Sequence, residues 1–196
     1  MRRKGGAKGD DPTNSDVISA AKRGETDAIA ALYREHVAMV RSYLKVSGIA
    51  EPDDVTSEVF VSMVRSLSRF EGGREQFRSW LMTIAHHRMI DHRRRRRLDL
   101  TIAVDEIESA EAAEERADVH GLVQPVLLDS QLIEAFSNLT DEQREVLALR
   151  FLADLDIETV AAITARPVGA VKSLQHRALQ ALRRQSVNPD LHKASG

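Results

Sequence analysis

The sequence predicts an all-α chain: two small helical domains joined by an acidic flexible linker. Three observations carry that expectation. Aromatic residues are only 4% of the 196 residues, while Ala, Leu, Glu and Arg abound. Strands favour aromatic and β-branched side chains, so this balance favours helices. Apolar residues recur at helical spacing in several separate windows. The charge is segregated, although the formal net charge is only −2. From His86 to Arg97 there are six Arg and three His against one Asp. From Leu98 to Ser130 acids dominate: Asp99, Asp105, Glu106, Glu108, Glu111, Glu114, Glu115, Asp118 and Asp129 face Arg116 alone. From Arg166 to Arg184 there are five basic residues and no acid. Two basic blocks parted by an acidic one suggest two polyanion-facing surfaces and a tether that avoids them.

Residues 1–14, rich in Gly, Lys and Asp, read as a disordered tail. The first helical domain is expected over 15–97. Its clearest helix spans Thr26 to Val46, with Ile29, Leu32, Tyr33, Val37, Val40 and Leu44 on one face, and Gly48 ends it. The next begins at Glu51-Pro52-Asp53-Asp54, where Pro suits the first helical position and acids complement the positive helix end. It carries Val55, Val59, Met63 and Leu67 and stops before Glu71-Gly72-Gly73. A loop is expected from Ser68 to Gln76. A further helix starts near Phe77 and runs out through the Arg block.

Residues 98–128 have weak periodicity, many acids, Gly121 and Pro125, and read as the linker, with a transient helix around Ser109 to Ala117. The second domain is expected over 129–185, followed by a flexible tail, 186–196. It opens with Leu132, Ile133 and Phe136. Thr140-Asp141-Glu142-Gln143 fits a capping box, in which Thr140 and Gln143 satisfy each other's exposed N–H groups. That helix continues through Val146, Leu147 and Phe151. Asp156 caps a short helix ending at Thr164, Ala165-Arg166-Pro167 reads as a tight turn, and a second helix runs from Val168 to Arg184 with Val171, Leu174, Ala178 and Leu182 inward.

That last pair is a helix-turn-helix. Its second helix can enter a major groove about 12 Å wide, with N-terminal residues near base edges and basic residues near phosphates. The alternative is a helical hairpin that only packs, and the acid-free second helix argues against it. The chain has no Cys, which excludes disulfides and thiolate metal sites. No apolar stretch approaches the roughly 20 residues of a membrane span, and Met1 to Asp11 lacks the apolar segment of a signal peptide. Neither membrane insertion nor export is therefore expected, and the expected location is cytoplasmic. His87 and Asp91 share a helix face, but His86 and His92 point elsewhere. Three ligands on one face are missing, so no metal and no cofactor is expected. Nor is there a nucleophile–base constellation, so the chain is expected not to be an enzyme.

The stretch Leu139 to Arg184 resembles the promoter-binding domain of bacterial sigma factors. At that family's pattern positions it has Leu139, Arg144, Leu149-Arg150, Gly169-Ala170-Val171-Lys172-Ser173 and His176-Arg177-Ala178. It departs from the pattern at Thr140 for Pro, Thr159 for Glu, Ala165 for Gly, Ala170 for Thr and Leu174 for Arg. Asp54-Val55-Thr56-Ser57-Glu58-Val59-Phe60 resembles the polymerase-binding helix, with Ser57 in place of Gln. Phe77-Arg78-Ser79-Trp80-Leu81, Ile84-Ala85 and Asp91 resemble the promoter-melting segment, with His87 in place of Asn. The order of these motifs, with no third domain between them, resembles the extracytoplasmic-function (ECF) subgroup.

The resemblance implies a factor that binds core RNA polymerase and directs initiation through the −10 and −35 promoter elements. It implies core binding by Asp53, Asp54, Ser57, Glu58 and Val61 on the clamp helices of the largest subunit, with a further contact to the flap of the second-largest. It implies −10 contacts from Arg69, Phe70, Arg74, Trp80, His87, Arg88, Arg93 and Arg94. It implies −35 contacts from Arg166, Pro167, Gly169, Lys172, Ser173, His176 and Arg177. An anti-sigma factor is a further implied partner, and the linker is implied to thread toward the polymerase cleft. Core packing is the alternative role for Phe70 and Trp80, and a solvated acidic face is the alternative for Asp54 and Glu58. The rival function is a free-standing helix-turn-helix regulator that binds operator DNA without polymerase.

Overall fold

The computed structural model describes residues 12–103 and 130–187, and every regular element among them is helical. The acids from Asp105 to Asp129, the helix considered around Ser109, and the expected tails over 1–11 and 188–196 lie outside the described residues.

The first unit holds α1 (Pro12–Lys22), α2 (Thr26–Val46), α3 (Pro52–Ser66), a 3₁₀ turn (Leu67–Arg69) and α4 (Arg74–Ala103). α2 has the range its periodicity predicts, with Leu32, Val37, Val40, Tyr43 and Leu44 buried. Gly48 ends it at φ +79°, a left-handed conformation that side chains with a Cβ resist. In α3, Pro52 occupies the first turn beside Asp53 and Asp54, and Val55, Val59, Phe60 and Met63 point inward. Each large apolar side chain taken out of water this way contributes about 1.5–3 kcal/mol.

Three boundaries differ from the sequence expectation. α1 begins at Pro12, inside the expected tail. The expected loop is shorter, because the 3₁₀ turn takes up Leu67–Arg69 and α4 starts at Arg74. The side-chain amide of Gln76 accepts a 3.1 Å bond from the Gly73 N–H and so satisfies a donor at that helix start. α4 also continues past Arg97 to Ala103, into the expected linker.

The second unit holds α5 (Ser130–Ser137), α6 (Asp141–Leu147), a π-helical turn (Ala148–Leu152), α7 (Ile157–Thr164) and α8 (Val168–Val187). The capping box forms as expected: Gln143 N–H donates to Thr140 Oγ1, and Thr140 N–H donates to the Gln143 side chain. Asp156 accepts from Thr159 N–H at 2.7 Å, which holds its carboxyl below the usual carboxylate range. Phe151 is not an inward position. It lies within the π turn, where the backbone is wider than an α-helix, and its ring is 55% exposed. α7 ends with Ala165 at φ +51°, Arg166 N–H donating to Ala161 O at 3.0 Å and Ala165 N–H to Ala162 O. This doubly bonded helix end usually uses Gly, so Ala165 carries some backbone strain.

The two units touch. α2 meets the π turn and α5, and α4 meets α7. Gly48 lies so close to the second unit that a Cβ there would sit 3.1 Å from Arg144 Nη1.

Candidate functional site

The outer face of α3 carries the first expected set. Asp53, Asp54 and Ser57 are exposed and Glu58 is half-exposed. Val61 and its missed neighbour Val64 are 49% and 44% exposed, unusual for Val, so the acids border an uncovered apolar strip. Asp53 is held by Arg41 through two contacts of 2.5 and 3.0 Å, and Glu58 lies 3.3 Å from Arg95. Behind that face, α3 and α4 form an open groove of about 630 Å³ lined by Glu58, Val61, Ser62, Arg65, Arg88, Asp91, Arg94 and Arg95. Arg88 donates to Ser62 Oγ at 2.8 and 3.1 Å, which fixes its guanidinium at the groove wall. Arg65 joins this set unannounced, because only the packing of α3 on α4 sets it beside the Arg block.

The expected −10 residues do not form one surface. Arg69, His87 and Arg94 are exposed. Arg74 is also exposed but lies 2.5 Å from Glu35. Phe70 is only 5% exposed and stacks in a cluster with Phe77 and Trp80, at ring separations of 4.9–5.5 Å. Core packing accounts for Phe70, and Trp80 is partly covered by the same rings. Arg93 turns to the opposite side of α4, donates to the Ser47 carbonyl and lies 3.8 Å from Asp141 of the second unit.

The helix-turn-helix presents its expected set more uniformly. Pro167, Gly169, Lys172, Ser173, His176 and Arg177 are exposed along α8, while Val171 and Ala178 are fully buried beneath them. A Cβ at Gly169 would meet nothing within 4 Å, so packing does not require glycine there. Among the described residues no carboxylate pairs with Lys172 or Arg177, which leaves both charges to solvent or phosphate. Two arginines shared with the promoter-binding pattern are structural. Arg144 donates to the carbonyls of Phe136 and Leu139, closing the turn ahead of α6. Arg150 donates to the Leu155 carbonyl and to Gln175, tying the π turn to α8.

Arg166 is the exception. It sits half-buried with Nη1 2.5 Å from Glu145 Oε2. Glu145 is 5% exposed, and its other oxygen is 3.0 Å from His86 Nδ1, which is itself 3.2 Å from the Tyr43 hydroxyl. Burial alone would raise the Glu145 carboxyl. The hydrogen bonds and charges of His86 and Arg166 outweigh it and hold the group below its ordinary value. Burial pushes the Tyr43 phenol up. The sequence offered no signal for this cluster: Glu145 resembles any acid on a helix until the fold brings α4 to it.

Among the described residues no group of His, Asp and Glu could hold a metal ion, and no helix is long and apolar enough to cross a membrane.

Residues 32–98 match the family model of Sigma-70 region 2, and residues 135–184 match Sigma-70, region 4. The chain is 31% identical over 184 residues to the ECF RNA polymerase sigma factor BldN of Streptomyces coelicolor, covering 93% of this chain and 69% of that protein. It is 25% identical over 178 residues to SigW of Bacillus subtilis, covering 86% and 94%. Among solved structures, CnrH in complex with the cytosolic domain of CnrY superposes with a TM-score of 0.60 at 21% identity, covering 90% of this chain and 98% of that one. RpoE in complex with the anti-sigma factor NepR from Bartonella quintana gives 0.61 at 20%, covering 83% and 98%. Both likenesses concern the fold.

Proposed function

The chain belongs to the ECF family of RNA polymerase sigma factors, and from that membership we propose how its surfaces divide the work of initiation. The protein binds core RNA polymerase and directs promoter-specific transcription initiation. The first unit, placed by us at 15–97, meets the polymerase clamp through Asp53, Asp54, Ser57, Glu58 and Val61. Exposed acids beside an uncovered valine pair suit a basic, partly apolar partner. The groove between α3 and α4 supplies the cationic side on which a melted −10 strand runs, with Arg88 and Arg94 at its wall and Arg69, Arg74 and His87 outside it.

The second unit, placed at 129–185, reads the −35 duplex. The single observation that carries this reading is α8, with an exposed Gly169-Lys172-Ser173-His176-Arg177 face, no acid in its length, and Val171 and Ala178 anchoring its back. Catalysis stays with the polymerase, so the chain itself runs no reaction. The protein acts in the cytoplasm, where polymerase is. An anti-sigma factor, such as the NepR that accompanies RpoE in its solved structure, is the regulatory partner we extend to this chain.

Reconstituted transcription tests the assignment. Wild-type protein with core polymerase should yield transcripts from defined start sites. The Asp54→Lys, Glu58→Lys variant should lose core binding in pull-down while remaining helical. Undiminished capture of core by that variant would remove the α3 face from the interface.

A further inference from the structure

Arg69 and Arg74, two of the proposed −10 contacts, stand at the two ends of a short loop, residues 70–73, between the 3₁₀ turn and α4. The start of the loop is anchored, because the Phe70 ring is buried against Phe77 and Trp80. A buried ring fixes where the loop begins but not the direction in which it leaves. That direction depends on ψ of Phe70, and turning ψ also turns the Phe70 carbonyl. Here ψ is 136°, and the carbonyl accepts a 2.7 Å bond from Nζ of Lys22. An ammonium donor makes this bond charge-assisted, roughly twice as strong as a neutral one. Lys22 is the last residue of α1, and the buried Ile18 and Ala21 hold that helix end on the domain. The rest of the loop has little slack. Gly72 has φ +134°, and a Cβ there would lie 2.8 Å from Gln76 Cβ and 3.3 Å from Phe70 Cζ, so the chain folds back close over the ring. Gly73 N–H donates to the Gln76 side chain at 3.1 Å, and Glu35 of α2 lies 2.5 Å from Arg74.

We propose that Lys22 is a positioning residue for −10 reading: from α1 it locks the Phe70 carbonyl and so presets the loop, with Arg69 and Arg74 at its ends, in the form that meets the single strand. The inference rests on the reading that the first unit meets the −10 strand. In this role Lys22 itself touches neither base nor phosphate. It acts on ordering. A backbone left free to turn loses conformational entropy when a ligand fixes it, and a loop already held spares the strand that cost. Without Lys22, a matching base must order the loop itself. A mismatched base does not engage the loop and loses little. The preference among bases should therefore narrow by about two- to tenfold, the ordering cost of a short segment. A Lys22 that only held α1 on the domain would act differently, lowering affinity for every −10 sequence alike.

Holoenzyme made from core polymerase and the full chain tests this on fluorescent forked DNA with the −10 strand unpaired, taken from a promoter mapped by transcript 5′ ends. Each of the four bases is placed in turn at every −10 position. Lys22→Met keeps the stem and removes the charge, and it should narrow the preference at one or two adjacent positions by about two- to tenfold. Lys22→Arg keeps a cationic donor and should restore most of it. Both variants should capture core polymerase in pull-down as wild type does. On the free chain, hydrogen exchange at the Gly73 amide, bonded to Gln76 in wild type, should quicken in Lys22→Met. Circular dichroism checks helicity, and Lys22→Gln, which keeps a neutral donor, is read in place of Lys22→Met if that variant unfolds. A folded variant with the wild-type base preference, or with a loss equal at all −10 positions, overturns the proposal. Wild type measured alongside separates the two readings. A clear wild-type preference that Lys22→Met leaves intact sinks the positioning role alone. A wild-type holoenzyme that starts transcripts at defined sites yet shows no preference along the unpaired strand sinks the −10 reading, and the role of Lys22 with it.

Discussion

Replacing Lys172 by Ala removes one exposed cation, without a carboxylate partner among the described residues, from the outer face of α8 and leaves Val171 and Ala178 to hold the helix. If Lys172 meets a phosphate, its binding releases condensed counterions, and the logarithm of affinity falls with the logarithm of salt by about 0.9 per contact. Between 50 and 200 mM salt that one contact loses about 3.5-fold, or ~0.7 kcal/mol. The penalty for Lys172→Ala should therefore shrink by that factor across the range. It should be the same for every −35 sequence, because a phosphate carries no base identity. Holoenzyme binding to labelled promoter fragments measures this by fluorescence anisotropy, and the difference between wild type and variant cancels the contacts they share. Arg166→Ala is the contrast: a lost base contact should change the preferred −35 sequence by about 1–3 kcal/mol at one position. A Lys172→Ala slope identical to wild type, or a penalty that depends on sequence, would refute the phosphate assignment.

Acid should loosen the contact between the units. Glu145 sits among Tyr43 of α2, His86 of α4 and Arg166 ahead of α8, and its folded carboxyl is held below the ordinary 4.5. Its contribution is complete above pH 4.5 and is lost as pH falls through the folded value, since the unfolded chain takes up the proton first. Thermal unfolding in a pH series below 4.5 should show this loss in wild type and much less of it in Glu145→Gln. His36 acts at milder pH. It is buried, donates from Nδ1 to the Leu32 carbonyl at 2.9 Å, leaves Nε2 without a hydrogen bond, and burial lowers its pKa below 6.5. Below pH 6.5 the unfolded chain protonates first, so stability should fall with a slope approaching about 1.4 kcal/mol per pH unit, absent in His36→Phe if that variant folds. Asp156→Ala, which removes the cap of α7, should cost about 1 kcal/mol by chemical denaturation, and a change under a few tenths would deny the cap a role.

Much of the fold was legible because its determinants are local. The period of Ile29, Leu32, Val37, Val40 and Leu44, the glycine at 48, the proline at 52, the Thr140–Gln143 box and the Asp156 cap each act within a few residues of chain. They placed α2, the start of α3, α6 and α7 without any knowledge of packing. The exposed face of α8 followed from the same periodicity, because an anchored amphipathic helix leaves its charged side outward. Where the reading missed, a local rule met a nonlocal one. The helix through Val146 and Leu147 was read as running on to Phe151, but the chain widens there into a π turn and the ring is exposed. Phe70 looked available to stack on a base, but Phe77 and Trp80 enclose it. Of the two partners of Glu145, Arg166 is distant in sequence and His86 belongs to the other unit, and no pattern within α6 points to either. Helix formation, capping and amphipathicity are set by neighbours three or four residues apart, so the sequence alone determined them. Which charges are buried, and whether Arg93 and Arg166 are free or held, depends on groups far apart in sequence, Asp141 across the units for the one and Glu145 of α6 for the other, and that only the tertiary structure decided.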